Sequence, residues 1–237
     1  MTDRSTVETK EGLDIFLSLL VYSRMRFIQK LLPLLRASPA PAHIITVYGA
    51  GLEKLSDWDP RDMSLRKPGN FGFVKARTHI VIMTTLCLEH FARDNPGKLS
   101  LTHVFPGLVE SPAFYAKSNP LWFRLAARTL MPVLKRTYCV SAKETGTRLL
   151  FFASDRYPPQ TSDSTKTKIE QGGKQLEIAQ STTGGRGEGA YACKWTGDTC
   201  DVVKIYDGLR KEGMDEKVWQ HMMTVFNDIE AGRVFEG

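Results

Sequence analysis

The 237-residue chain predicts an α/β fold: a partial, doubly wound parallel sheet with long helices beside it and a C-terminal extension. Residues 42–48 and 99–105 are short β-branched runs, which is typical of buried strands. Between them, residues 71–92 have helical length and a nearly continuous apolar middle. A strand, a helix and a strand in this order predict one parallel crossover unit.

The elements before this unit are predicted from spacing and turn residues. Residues 14–35 carry apolar side chains at helical spacing, so they predict a long amphipathic helix. The strand at 42–48 is followed by Gly49-Ala50-Gly51, which indicates a turn. Residues 52–69 are polar and contain two prolines, which predicts a loop. Asn95-Pro96-Gly97 then ends the second long helix.

The second half of the chain is less regular. Residues 120–135 form an apolar segment with two arginines, which predicts a pocket cover, core packing, a partner contact or a membrane-surface helix. Ser141 and Glu144 have the spacing of a capping box, so a helix is predicted over 141–153. Residues 156–187 predict a long loop, 190–194 a short strand and 211–232 an amphipathic helix. We therefore divide the chain at 155/156, with residues 156–237 as an extension packed on the first domain.

Composition narrows the classes of function. The net charge is +6, but there is no block of lysine and arginine with interleaved aromatic residues, so nucleic-acid binding is not predicted. No uninterrupted apolar run approaches the ~20 residues of a membrane span, and the polar N-terminus is unlike a signal peptide, so a cytoplasmic protein is predicted. The four cysteines have no C-x-x-C spacing, which favours free thiols and predicts no metal site.

Six segments carry a resemblance to a known family. They are TKEGLDIFLSLLVYSRMRFIQKLLPLL, HIITVYGAG, LRKPGNFGFVKARTHIVIMTTL, NPGKLSLTHVFPGLVESPAF, and GRGEGAY followed by GMDEKVWQHMMTVF. Their order and spacing resemble the C-terminal half of the short-chain dehydrogenase/reductase family, in a fungal branch of specialised metabolism. The resemblance implies a Rossmann-like fold and NADP, or NAD, as cofactor. It also implies an N-terminally truncated chain, because the glycine-rich cofactor motif of the family's first half is not found.

The family's catalytic positions fall on altered residues. The family tyrosine, which transfers a proton, falls on Phe71, and the lysine four residues later, which holds the nicotinamide ribose, is Lys75. The family serine falls on Tyr48 and the asparagine near Leu20. Lys75 is therefore predicted either to hold the ribose or to be a surface lysine. Tyr48 is predicted either to act as a displaced acid whose pKa Lys75 lowers, or to pack as a strand-end aromatic residue.

Three further features are interpreted in the same way. The family segment that closes over nicotinamide appears as residues 106–111, which makes Val109 and Ser111 candidate cofactor contacts. His79 and Lys75 are four apart, so they are expected to be neighbours on one helix face. The glycine-rich run at 184–189 precedes a strand and no helix, so it is a weak candidate for a phosphate cradle.

The resemblance implies an NAD(P)-dependent oxidoreductase of fungal secondary metabolism. Its small-molecule substrate would be a ketone or alcohol of a polyketide or terpenoid, and the chain would be either active or inactive. The alternative is a non-catalytic scaffold that forms a homodimer or heterodimer through helices 14–35 and 71–92. An isomerase or cyclase is a third hypothesis, which no residue positively marks. Without preceding strands, a sheet edge and an apolar helix face are expected to be uncovered.

Overall fold

The computed structural model describes residues 8–109, 112–117, 119–137, 139–161 and 167–236. The strands are β1 (Ala42–Val47), β2 (Leu99–Phe105), β3 (Leu108–Val109), β4 (Cys139–Val140), β5 (Lys168–Gln171), β6 (Lys174–Glu177) and β7 (Ala190–Lys194). The helices are α1 (Ile15–Leu17), α2 (Ser23–Ala37), α3 (Phe73–Arg93), α4 (Leu121–Thr137), α5 (Ala142–Phe151), α6 (Val203–Lys211) and α7 (Met214–Glu230). A π-helical turn spans Ser18–Tyr22, and 3₁₀ turns span Leu55–Asp57 and Pro112–Tyr115.

A parallel sheet with the strand order β1-β2-β7 forms the centre of the fold. Ala42 of β1 lies opposite Leu99 of β2, and Val47 lies opposite Val104. Because α3 connects β1 to β2, the predicted parallel crossover is confirmed, and with it the α/β fold with a partial Rossmann-like sheet. The predicted strand in the extension is also confirmed, since β7 pairs with β2 from Leu101 to Phe105.

Helix α3 is buried almost along its whole length. Every residue from position 78 to 92 is buried, because the sheet covers one side of the helix and α7 packs against another. Trp219 of α7 stacks on His90 at 3.8 Å between ring centroids and meets the Phe91 ring edge-on at 5.0 Å. The exposed apolar residues of α3 are at its start, at Phe73 and Val74. The predicted dimer through helices 14–35 and 71–92 stays a prediction, and α7 of the same chain already occupies part of the second helix.

The first long helix is continuous but not uniform. Asp14 caps it, and its Oδ1 accepts hydrogen bonds from the backbone N–H groups of Phe16 and Leu17 at 2.9 and 3.0 Å. The π-helical turn then separates α1 from α2, so the single α-helix predicted at 14–35 is wrong in this detail. Helix α2 continues past Pro33 to Ala37. Isolated π-turns are rare and widen the helix locally.

Strand β1 is at an edge of the sheet that the described residues form. The backbone groups of successive β1 residues point alternately toward β2 and away from it. The N–H group of Ala42 donates to the Lys98 carbonyl and that of Tyr48 to the Val104 carbonyl. The N–H and C=O groups of His43 and Ile45 therefore point away from the sheet. A groove of about 550 Å³ runs along this edge beneath the apolar face of α2. Phe27 is 69% exposed there. This arrangement matches the uncovered sheet edge and helix face expected from the sequence.

The second half of the chain differs from its prediction in two places. The loop prediction at 156–187 is wrong in part, because a section of it is the β5-β6 hairpin, which turns at Gly172-Gly173 with φ values of +59° and +73°. The helix predicted at 211–232 is confirmed as α7, and α6 before it was not predicted. Gly213 separates the two helices because its φ of +68° is left-handed, and glycine adopts this conformation without steric cost. The predicted cap of α5 is confirmed, since Ser141 Oγ accepts from Glu144 N–H at 3.2 Å.

A second, smaller apolar cluster lies on β2 and β7 and draws on residues after position 155. It consists of Val104, Phe152, Tyr157, Ala179, Tyr191 and Cys193. The hydroxyl of Tyr157 donates to the Gly197 carbonyl at 2.5 Å, and that of Tyr191 donates to the Pro158 carbonyl at 2.5 Å. Residues on both sides of position 155 therefore share this cluster. The division of the chain at 155/156 stays a prediction.

All four cysteines are free thiols, and burial raises the pKa of the Cys87 and Cys193 thiols. Thiols with a raised pKa carry little thiolate, so these two side chains act as packing groups. In the described part of the chain, none of the helices combines the length and apolar character needed to cross a membrane.

Acid should destabilise the protein through its buried histidines. Burial lowers the pKa of all five, and that of His221 falls to about 4 from an ordinary value of 6.5. Between these pH values the unfolded chain binds more protons than the folded chain. The free energy of unfolding therefore falls as pH falls from 6.5 to about 4, by about 1.4 kcal/mol per pH unit for this histidine.

Urea unfolding of the His221→Phe variant at a series of pH values measures this contribution. The free energy of unfolding of the variant should depend less steeply on pH, by about 1.4 kcal/mol per pH unit. Loss of the 2.8 Å hydrogen bond to the Tyr22 hydroxyl should also lower its stability at every pH. Gln220→Ala, which changes the exposed residue next to His221, is the matched control. Its free energy of unfolding should have the same dependence on pH as that of the parent chain. Parallel curves for His221→Phe and the parent would contradict this account.

Candidate active site

A pocket of about 200 Å³ lies where β1 ends and α3 begins. Parallel α/β sheets bind ligands beyond the carboxyl ends of their strands, which is where this pocket lies. Its lining residues are Phe16, Tyr48, Phe71, Gly72, Phe73, Ala76, Arg77 and Ile80. Two of the residues predicted from the sequence, Tyr48 and Phe71, therefore line one pocket. Lys75 and Val109 are not among the residues that line it.

Tyr48 brings a phenol to this pocket. Its backbone N–H donates to the Val104 carbonyl at 2.8 Å, which anchors the residue at the end of β1. Burial raises the pKa of the hydroxyl, and the positive charges of Arg77 and Arg24 oppose that rise. The expectation that Lys75 lowers the Tyr48 pKa is wrong: the pKa is raised, and the opposing cations are arginines. Tyr48 is thus a neutral phenol at physiological pH, able to donate a hydrogen bond or a proton.

The positive charges of two arginines act on the Tyr48 hydroxyl. Arg24 lies in α2, and its Nη1 donates a hydrogen bond to the Val47 carbonyl at 2.8 Å. Arg77 lines the pocket, and its buried Nε has no hydrogen-bond partner among the described residues. Arg77 was missed from the sequence. The sequence did contain a signal: the helix that carries Lys75 has a second cation, Arg77, close to Phe71 along the chain.

Phe71 forms an apolar wall of the pocket. Its ring lies 6.4 Å from that of Phe16, centroid to centroid, at an angle of 37°. It has no hydroxyl, so acid–base chemistry at this position is excluded. Leu20, at the asparagine position, lies within the π-helical turn and is half-buried.

Lys75 is a positioned side chain. Its ammonium donates to the Asn70 side-chain oxygen, and the Asn70 amide nitrogen donates to Asp62 Oδ2 at 2.6 Å. Asp62 in turn accepts from the backbone N–H groups of Arg66 and Lys67 at 2.8 and 3.1 Å. The loop before α3 therefore orients the lysine through a chain of hydrogen bonds.

His79 contacts the same loop. Its Nε2 accepts from the Asp59 backbone N–H at 3.1 Å, and its Nδ1 lies 3.3 Å from the Met63 carbonyl. Because a backbone N–H can only donate, Nε2 is unprotonated and Nδ1 carries the proton. His79 and Lys75 are four residues apart in α3, as predicted, and His79 is in addition a buried anchor for the polar loop.

His103 anchors the turn that follows Tyr48. Its Nε2 accepts from the Gly49 N–H at 3.3 Å, which leaves Nδ1 to donate to Thr85 Oγ1 at 2.9 Å. Complete burial lowers the pKa of His103 to about 3, so the ring stays neutral. It links β2, α3 and the Gly49-Ala50-Gly51 turn. No motif in the sequence distinguishes this histidine from an ordinary strand residue.

The segment predicted to close over nicotinamide begins with a tight turn. Gly107 has a φ of +75°, and a Cβ at this position would lie 3.0 Å from the Trp195 ring. Val109 lies in β3 and pairs with Val140 of β4. Ser111 lies outside the described residues. The Trp195 ring also contacts Arg148, whose guanidinium carbon lies 4.4 Å from the ring centroid.

The glycine-rich run at 184–189 leads directly into β7, as predicted, and no helix N-terminus follows it. A Cβ on Gly189 would lie 2.9 Å from the Gln160 backbone nitrogen, so close packing requires glycine there. Among the described residues, no group of three or more histidine, cysteine, aspartate and glutamate side chains is placed to hold a metal ion.

Comparison with known proteins adds to this geometry. Oxidoreductase AN1596 of Emericella nidulans is 38% identical over 223 residues, 93% of this chain and 63% of that protein. The chain is similar to fungal oxidoreductases. Short-chain dehydrogenase/reductase SAT2 of Stachybotrys chartarum is 32% identical over 93% of the chain and 60% of that protein. The NmrA-like family domain-containing oxidoreductase notO of an Aspergillus species is 34% identical over 95% of the chain and 61% of that protein.

These oxidoreductase relatives are longer than the chain, which spans about six tenths of their length. No family model matches the chain. The name of the Stachybotrys chartarum relative agrees with the resemblance to short-chain dehydrogenases, and the other two names agree with an oxidoreductase. The similarity covers the sheet, α3 and the pocket together, since it extends over more than nine tenths of the chain.

Replacing His103 should destabilise the protein and free the turn after Tyr48. His103→Leu leaves the Gly49 N–H and the Thr85 hydroxyl unpaired, so we expect the free energy of unfolding to fall by about 2–4 kcal/mol. Thr85→Val removes only the hydroxyl contact and should cost about 1 kcal/mol. Urea unfolding measures both. Equal losses for the two variants would show that the bond to Gly49 contributes nothing.

Proposed function

We propose that the chain carries the substrate-side half of the active site of an NAD(P)-dependent oxidoreductase of fungal secondary metabolism. The reaction is the interconversion of a ketone and an alcohol. The observation that supports it is that Tyr48, Arg77 and several apolar residues line one pocket at the carboxyl end of β1, where the charge of Arg77 acts on the Tyr48 hydroxyl. The similarity to fungal oxidoreductases supports the same reaction class.

In this proposal Tyr48 replaces the hydroxyl that Phe71 lacks. During reduction, the Tyr48 phenol donates its proton to the carbonyl oxygen while the carbonyl carbon accepts a hydride, and the C=O double bond becomes a C–O–H group. The resulting phenolate is stabilised by the charges of Arg77 and Arg24, which already act on this hydroxyl. In oxidation the proton returns from the alcohol to Tyr48.

The cofactor in this proposal is NADP, or NAD, which supplies or accepts the hydride when bound. Lys75 fits the role of holding the nicotinamide ribose, because Asn70 already orients its ammonium. Val109 and Ser111 are proposed contacts on the nicotinamide side. The glycine-rich run at 184–189 leads into a strand, so it does not offer helix N–H groups to the pyrophosphate. We propose that further strands paired with the open edge of β1 hold that end of the cofactor.

The substrate class follows from the pocket walls. Phe16, Phe71 and Ile80 provide an apolar surface, and the volume of about 200 Å³ admits only part of a large molecule. We therefore propose an apolar polyketide or terpenoid whose carbonyl enters the pocket while the rest of the molecule lies outside. Arg77, which lines the pocket, is proposed to stabilise the oxygen as negative charge develops on it.

Tyr48→Phe tests the proton donor. It should lower kcat for NADPH-dependent ketone reduction by about 10²–10⁴-fold, the usual contribution of a general acid. Because Tyr48 has a raised pKa, the parent rate should be constant through neutral pH and fall only on the alkaline side. The measurement is NADPH oxidation with a panel of apolar ketones, beside NADPH fluorescence titration of each variant.

Tyr115→Phe is the matched control, because it removes a half-buried phenol that is not among the residues lining the pocket, and it should leave kcat unchanged. Phe71→Tyr adds a phenol four residues before Lys75 and should rescue part of the activity of Tyr48→Phe. If Tyr48→Phe turns over like the parent, Tyr48 is not the acid. If NADPH fluorescence shows no binding at millimolar concentration, the reductase proposal fails as a whole.

A further inference from the structure

Helix α4 lies in the most one-sidedly charged part of the chain. Residues 111–143 contain six cations and no acidic residue. The cations are Lys117, Arg124, Arg128, Lys135, Arg136 and Lys143. The whole chain has 32 cations against 26 acids, so this segment supplies a charge equal to the entire net charge of +6. Such a local field attracts anionic surfaces.

The exposed side of α4 is apolar. Leu121 is 66% exposed, Trp122 71% and Leu125 52%, and helical spacing places these three side chains together on one face. Ala127, on the opposite face, is buried. The interpretation of this segment as core packing is therefore wrong for its largest residues. A contiguous apolar strip turned toward solvent marks a surface that another body covers.

The cations adjoin this strip. Arg124 and Arg128 are four residues apart, so they form a row beside the row of Leu121 and Leu125. A tryptophan and leucines on one face with a flanking row of cations is the pattern of helices that lie in the interface of a membrane.

The described residues leave Leu121, Trp122 and Leu125 on this face of α4 largely exposed. Its main packing partners are its own neighbours along the chain, the 3₁₀ turn at Pro112–Tyr115 before it and β4 after it. Helix α4 therefore lies at the edge of the fold. Its apolar strip and the neighbouring cations can contact the same external surface. A protein partner would need a matching acidic groove, whereas a bilayer with anionic headgroups supplies both an apolar layer and negative charge.

We propose that α4 docks the protein on membranes containing anionic phospholipids. Leu121, Trp122 and Leu125 insert below the headgroups, and Arg124 and Arg128 contact the phosphates and carboxylates. Binding is peripheral and reversible, because the helix lies along the surface. The proposal is independent of the redox reaction proposed above, since it uses none of the residues around Tyr48.

Co-sedimentation of the full chain with vesicles tests the proposal. Vesicles of phosphatidylcholine with phosphatidylserine should bind the protein, vesicles of phosphatidylcholine alone should bind at least about tenfold more weakly, and salt should weaken binding. Arg124→Gln with Arg128→Gln should lower affinity for the anionic vesicles about 25-fold, or about fivefold for each cation. Trp122→Ser should lower it at least about tenfold.

Matched variants separate docking from general effects. Lys204→Gln with Lys211→Gln removes two exposed cations of α6, and Leu150→Ser removes a 75% exposed leucine of α5; both should bind like the parent. Circular dichroism checks that each variant is folded. Equal binding to both kinds of vesicle, or no loss in the α4 variants, would overturn the proposal. A dimer that Trp122→Ser dissociates, without vesicle binding, would assign this face to a second copy instead.

Discussion

The rest of the structure depends on the burial of α3. A helix that is covered along fifteen consecutive residues, positions 78 to 92, must satisfy every polar group it carries or lose stability. Three of its polar side chains do so by bonding to a different element, whereas the Thr78 and Thr84 hydroxyls have no hydrogen-bond partner among the described residues. Glu89 accepts from Arg210 of α6 at 2.9 Å through both of its oxygens, and His79 accepts from the loop before the helix. The helix is therefore both the apolar centre of the fold and the part to which its polar elements attach.

This constraint also shapes the candidate active site. Phe71, just before α3, and Arg77, near the start of α3, lie beside the end of β1 and line the pocket. Thr85, two turns further along, holds His103, which in turn holds the glycine turn after Tyr48. The phenol, the cation and the turn are thus positioned by one buried helix. A chemical group on such a support keeps its geometry without a mobile loop.

The open edge of β1 and the exposed face of α4 are two different kinds of surface. The edge offers unpaired backbone groups of His43 and Ile45 above an apolar groove, which suits a further strand. The α4 face offers side chains alone, with an apolar strip and a row of cations, which suits a lipid surface. The chain therefore has one boundary suited to extending its sheet and another suited to an external partner. The separation lets both be occupied at once.

The sequence by itself determined the crossover unit, the limits of β2, the cap at Ser141 and the strand at 190–194, because period, β-branching and turn residues act locally. It also determined that Phe71 has no proton to give. Only the tertiary structure decided that Tyr48 shares a pocket with Phe71 and Arg77. Tyr48 is distant from the other two along the chain, and the packing of α3 beside β1 brings them together. The helix predicted at 211–232 is present as α7, whereas α6, which Gly213 separates from it, was not predicted. The pKa directions of Tyr48 and the histidines likewise depended on burial, which is a property of the packed molecule and of no single residue.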